Sequence, residues 1–145
     1  MKGPKPNEDG IIIHIVNDRF CDSCGEINGE KEFIDGMCDA HTHGMEEQGF
    51  AELQMVLFFS ADYIMHVLNT VAKKVINGEV VEKNGAIVKG LFPDGAEVRL
   101  DRHFDKDGKE IYRVIIPDGK FHMPEDSDEY PYNMQCMSPY IKNLL

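Results

Sequence analysis

The chain has 145 residues, the usual size of one domain, and 42% of them are apolar, enough for one core. There is no Trp, but eight Phe and five Tyr are available to fill that core. A formal net charge of -11 argues against non-specific binding to nucleic acid or to an anionic membrane, since phosphate contacts need clustered Lys and Arg, and the longest basic run is Lys73-Lys74.

The first ten residues, MKGPKPNEDG, hold two prolines, two glycines and no apolar stretch. They are expected to form a flexible tail, they do not make a signal peptide, and a single domain over 11–145 follows. No apolar run approaches the roughly 20 residues that span a bilayer. A cytoplasmic location is therefore expected. Thiols stay reduced there, so the four cysteines suggest metal ligands or buried thiols rather than disulfides.

Ile11 to Val16 is short and β-branched, and predicts a strand. The stretch from Asn17 to Gly36 is polar and without clear period, with at most a short strand at Glu32-Phe33-Ile34. A structureless loop of about twenty residues is unusual inside a compact domain and calls for a tether. Glu52 to Phe59 turns continuously apolar, as an inner strand does.

Ser60 then offers an N-cap hydroxyl, and Asp62 stands where a helix dipole favours a carboxylate. Ile64, Val67, Leu68, Val71 and Val75 follow at spacings of three and four. Lys73 and Lys74 sit near the end and Asn77-Gly78 supplies a stop, so a helix is predicted over 61–77.

Only β signals come after it. Ala86 to Leu91 predicts a short strand. Glu97 to Phe104 and Glu110 to Ile116 predict a hairpin around Asp105-Lys106-Asp107-Gly108. With Phe104 opposite Gly108, Val98, Leu100, Tyr112 and Val114 share one face, and Arg99, Asp101 and Arg113 share the other. Two arginines across a strand pair repel unless a carboxylate stands between them, and Asp101 can do that. Residues 124–131 predict an acidic surface loop, Gln135 to Met137 an edge strand, and Ser138-Pro139 the opening of a last helical turn.

The stretch CDAHTHG, residues 38–44, concentrates metal-ligating side chains. Cys21-x2-Cys24 followed by Cys38-x2-His41 has the form of two knuckles, three thiolates and an imidazole, which suits tetrahedral zinc and would tether the long loop. The local conformation decides the ligand set. A turn brings Cys38 and His41 together. An extended strand puts His41 and His43 on one side and Cys38 on the other, with Cys21 and Cys24 reaching in. An H-x-H pair also serves open catalytic metal sites, for which Asp39, His66, His103 and His122 are further candidates that spacing does not select. Cys21-Asp-Ser-Cys24 lacks the following helix of a redox dithiol. Cys136 reads as a buried thiol, and Asp105-x-Asp107-Gly108 as a hairpin turn rather than a calcium loop. There is no Gly-rich phosphate loop, no G-x-S-x-G elbow, and no evident pair of nucleophile and base, so no catalytic residue is assigned.

Thr42-His43-Gly44-Met45, then Ala51-Glu52-Leu53 before an apolar strand, Leu68-Asn69 in the helix and Gly78-Glu79 at its end resemble the bacterial domain-of-unknown-function 4262 family over roughly residues 38–117. That family's pattern runs Thr-x-Gly-Leu, Pro-Glu-Leu, Leu-Asn, Gly-Glu. Thr42, Gly44, Glu52, Leu53, Leu68, Asn69 and Gly78 stand at matching positions, while Met45 replaces Leu and Ala51 replaces Pro. The resemblance implies no reaction, and it implies that a metal site here belongs to a subgroup.

The expectation is one α+β domain, a mainly antiparallel sheet with one principal helix. Its expected role is a zinc-stapled module without catalytic activity of its own that binds a small ligand or a protein, with Cys21, Cys24, Cys38, His41 and His43 as candidate ligands. The competing expectation is a metal-dependent hydrolase centred on His41 and His43.

Overall fold

The computed structural model describes residues 6–17, 20–21, 33–105 and 107–141. Seven strands run in the chain order β1 (Ile12–Asn17), β2 (Phe20–Cys21), β3 (Met37–His43), β4 (Glu52–Leu57), β5 (Ala86–Val88), β6 (Val98–Phe104) and β7 (Glu110–Ile115), with the helix α1 (Ala61–Ile76) between β4 and β5. They form one sheet in the order β2-β1-β3-β4-β7-β6-β5. Every neighbouring pair is antiparallel except β4 with β7. This is the α+β architecture that the pattern predicts.

Helix α1 forms where its signals converge. Ser60 Oγ accepts the Tyr63 N–H at 3.1 Å, an N-cap bond. Ile64, Val67, Leu68, Val71 and Val75 are all buried, so the apolar stripe is the face that meets the sheet. At the other end Gly78 adopts φ +81°, and the N–H groups of Gly78 and Glu79 bond the carbonyls of Val75 and Lys74. That pairing satisfies two carbonyls that the last turn leaves open.

One face of the sheet, with Ile13, Ile15, Cys38, Ala40, Leu53, Met55, Leu100 and Val114, packs in the core with α1. The alternation of a strand sends their neighbours to the outer face. Part of that face is covered too. Val56 and Ile115 are buried outside the helix-side core, where the segment 132–140 crosses. Gln135 is fully buried and holds that segment down: its Oε1 accepts the Ile116 N–H at 2.7 Å and its Nε2 donates to the Ile116 carbonyl at 2.6 Å. The strand expected at Gln135–Met137 is not formed, because a side chain occupies the backbone groups that a strand would have paired.

Four other expectations change. Residues 6–10 are tied rather than trailing: Asn7 Oδ1 accepts the N–H groups of Asp9 and Ile11, and its Nδ2 donates to Asn69 Oδ1 at 2.8 Å. The β6–β7 hairpin pairs Phe104 with Glu110, not Gly108. A slip of two residues preserves the faces, so Val98, Leu100, Tyr112 and Val114 are buried together as predicted. Within 124–131, Pro124 and Ser127 are buried, and a short 3-10 turn spans Pro124–Asp126. Ser138-Pro139 does not open a helical turn among the described residues, where Tyr140 instead forms an antiparallel bridge with Phe33; residues 22–32, with most of the expected loop, lie outside them.

Candidate functional site: a polar row across the outer sheet face

Strand register lines up the polar residues of the outer face. His14 pairs with His41, His41 with Gln54, Gln54 with Arg113, and Arg113 with Asp101. One lateral row thus crosses five strands. Its members come from segments far apart in sequence.

At one end of the row the imidazoles of His14, His41 and His43 cluster. Ring centroids are 4.8 Å apart for His41–His43, 5.3 Å for His14–His41 and 6.3 Å for His14–His43. Burial and the neighbouring His41 lower the pKa of His43, which opposes adding a second positive charge there. Asp39, two residues before His41 on the same face, anchors the group. Its Oδ1 lies 3.4 Å from His41 Nδ1 and accepts from Gln54 Nε2 at 3.1 Å, while its Oδ2 accepts the Tyr140 hydroxyl at 2.8 Å. Burial would raise the Asp39 pKa, but the bonds from His41, Gln54 and Tyr140 prevail and hold it down at about 2.

The extended-strand alternative for CDAHTHG is therefore the one adopted. Cys38 points the opposite way, into the helix-side core, where its Sγ donates to the Met55 carbonyl at 3.7 Å. Burial, with Asp39 next to it, pushes this thiol far above its ordinary pKa. The turn that would pair Cys38 with His41 is not formed. In β2, Cys21 pairs with Val16, two residues along β1 from His14; its side chain and all of Cys24 lie outside the described residues. Among the described residues no three His, Cys, Asp or Glu side chains have their donor atoms gathered for one ion. Of the more distant candidates, Asp39 and His103 reach the same cleft, whereas His66 bonds the Leu91 carbonyl and His122 stands beside Asp118. Cys136 is exposed rather than buried.

His14 was not singled out from the sequence. A signal was present: a lone histidine within Ile-Ile-Ile-His-Ile-Val must face away from the core that Ile13 and Ile15 fill. What it meets there depends on strand order.

The row borders a cleft of about 940 Å³, walled by the 44–47 turn, the β6–β7 hairpin tip and Ser138–Tyr140. Thr42, Gly44 and Glu52 stand in one wall. Thr42 Oγ1 donates to Glu52 Oε1 at 2.8 Å and accepts the Leu53 N–H at 2.9 Å. The Glu52 carboxylate also accepts the N–H groups of Met45 and Glu46. Gly44 has φ +113°, and a Cβ there would stand 2.4 Å from the Gly10 carbonyl oxygen, so this turn requires glycine.

The far end of the row departs from the expected ladder. Both oxygens of Asp101 go to Arg99, at 2.7 Å and 2.9 Å, and Arg99 also grips Glu125. Arg113 instead donates Nε to Gln54 Oε1 at 2.9 Å, and Nη1 to the carbonyls of Gln135 and Met137 at 2.7 Å and 2.8 Å. No protein-family model matches this chain, and neither a curated protein nor a solved structure does.

Proposed function

We propose that this domain binds a zinc-class divalent ion on the outer face of its sheet, with His41 and His43 as nitrogen ligands, His14 beside them, and Cys21 and Cys24 as the thiolate half. Cys38 is left out of this set. The observation that carries the reading is the clustering of three imidazoles on one face, with ring centroids 4.8 to 6.3 Å apart. A second feature supports it: a carboxylate at Nδ1 leaves the Nε2 of His41 to the ion, the usual arrangement around a metal-bound histidine. The ion serves the fold by tethering the chain between β2 and β3, and the adjoining cleft receives a small ligand or a peptide. On this reading the ion marks a subgroup of the family that roughly residues 38–117 resemble.

The cleft beside His41 and His43 also favours a second reading, a metal-dependent hydrolase with an open coordination position. Coordination separates the two. Four protein donors including sulfur mean a structural ion, while three nitrogen donors plus an oxygen from solvent mean an open one.

Elemental analysis of the purified protein, with X-ray absorption at the metal edge, tests both. We expect stoichiometric zinc in the wild type and in Cys38→Ser, and its loss in His41→Ala, His43→Ala, Cys21→Ser and Cys24→Ser. A folded, metal-free wild type overturns the proposal, as does loss of the ion in Cys38→Ser alone.

A further inference from the structure

Arg113 is an unusual cation. It is only 6% exposed, yet among the described residues none of its hydrogen bonds reaches a carboxylate. A guanidinium has five N–H donors. Nε and the two hydrogens of Nη1 account for three bonds, all to neutral oxygens. The pair on Nη2 has no partner among the described residues. The one fully enclosed side-chain polar atom without a partner among those residues is Glu82 Oε2, so Nη2 is not sealed off. Arg113 lines the cleft, and Nη2 holds its uncommitted donors among the described residues.

The neighbouring carboxylates are already committed. Asp101 gives both oxygens to Arg99, and Asp39 serves Gln54, His41 and Tyr140. They stabilise the charge at longer range without capping it. A buried charge that lacks a hydrogen-bonded counter-ion is costly, and that cost is recovered when a ligand supplies one.

We infer that the cleft binds a small carboxylate-bearing ligand, with Arg113 Nη2 as its anchor. The charge count selects the class. A single carboxylate balances a single guanidinium, whereas a phosphate dianion adds repulsion from Asp39 and Asp101. The acidic rim, with Glu46, Glu47 and Asp107, works against polyanions in the same way. Ile111 and Phe104 also line the cleft and offer apolar surface to the body of such a ligand. Across two strand spacings, roughly 10 Å separate Arg113 from His41, so a ligand held at one end can extend toward the histidines. The inference does not depend on an ion being bound there.

The test uses the protein as purified, labelled with nitrogen-15, and follows the Arg113 side-chain resonances during titration with benzoate, with its neutral isostere benzamide and with inorganic phosphate at constant ionic strength. Benzoate is expected to shift these resonances saturably, benzamide not at all, and phosphate more weakly than benzoate. Arg113→Lys keeps the charge but loses the planar donor and should bind benzoate roughly tenfold more weakly; Arg113→Gln should not bind it. If Arg113→Gln fails to fold, because it also frees the 135–137 segment, the wild-type titration decides alone. Absence of a benzoate shift, an equal response to benzamide, tighter binding of phosphate, or undiminished binding by a folded Arg113→Gln each overturns the inference.

Discussion

Glu82 is a carboxylic acid with one oxygen satisfied and one stranded. Oε1 accepts the Ala51 N–H at 2.8 Å, while Oε2 is enclosed with no partner among the described residues. Burial raises its pKa to about 7, against the pull of the Ala51 bond and with help from the charges of Glu52 and Glu110. The folded state therefore holds this proton more tightly than the unfolded chain does. The corresponding stability is fully present below the ordinary glutamate range and is lost as pH rises through about 7. Glu82→Gln should remove that slope. We expect the variant to gain on the order of 1 kcal/mol over the wild type above neutrality, a figure kept low because the group is partly solvated, and to gain nothing near pH 4. Denaturant melts across that range check it. Parallel curves for the two proteins would mean that Glu82 is ionised in the fold at no cost.

Elements were legible in this sequence to the extent that their signals are local. The helix has a cap, a stripe and a stop within one stretch of chain, and all three are used. The β6–β7 hairpin kept its faces although its register slipped, because period-two alternation survives an even shift. The edge strand expected at Gln135–Met137 does not form, because Gln135 acts on Ile116, a residue distant in sequence, and nothing nearby signals that bond. The same reasoning sets the energetic expectation for α1. Leu68 is fully buried at the centre of the stripe, so Leu68→Ala should cost about 2–5 kcal/mol. Lys73 is largely exposed, with only a 3.5 Å contact to Glu8, and Lys73→Ala should cost about a tenth as much. Chemical denaturation of the two variants measures the contrast, and equal losses would put the wrong face of the helix against the sheet.

At the scale of the whole molecule, strand order decides what residue chemistry can become. His41 and His43 were visible as a pair, but their neighbours His14, Gln54 and Arg113 come together only because β1, β3, β4 and β7 are adjacent, one of those pairings being parallel. Spacing along the chain carries no trace of that. It also could not assign Cys38, whose side was settled when CDAHTHG became a strand.

Charge is the property that composition did convey, and the fold reinforces it. Lys74, Lys89, Arg99, Arg102 and Lys109 each lie beside a carboxylate, of Glu79, Glu97, Asp101, Glu110 and Glu46 in turn. At these five cations a nucleic-acid backbone would have to compete with a carboxylate, against a net charge of -11. Binding to random duplex DNA at physiological salt should accordingly be undetectable by fluorescence anisotropy. Counterion release gives the diagnostic for the opposite outcome: micromolar binding that weakens steeply as salt rises would mean that several Lys and Arg side chains act on phosphates together, and that a basic face exists which the net charge hides.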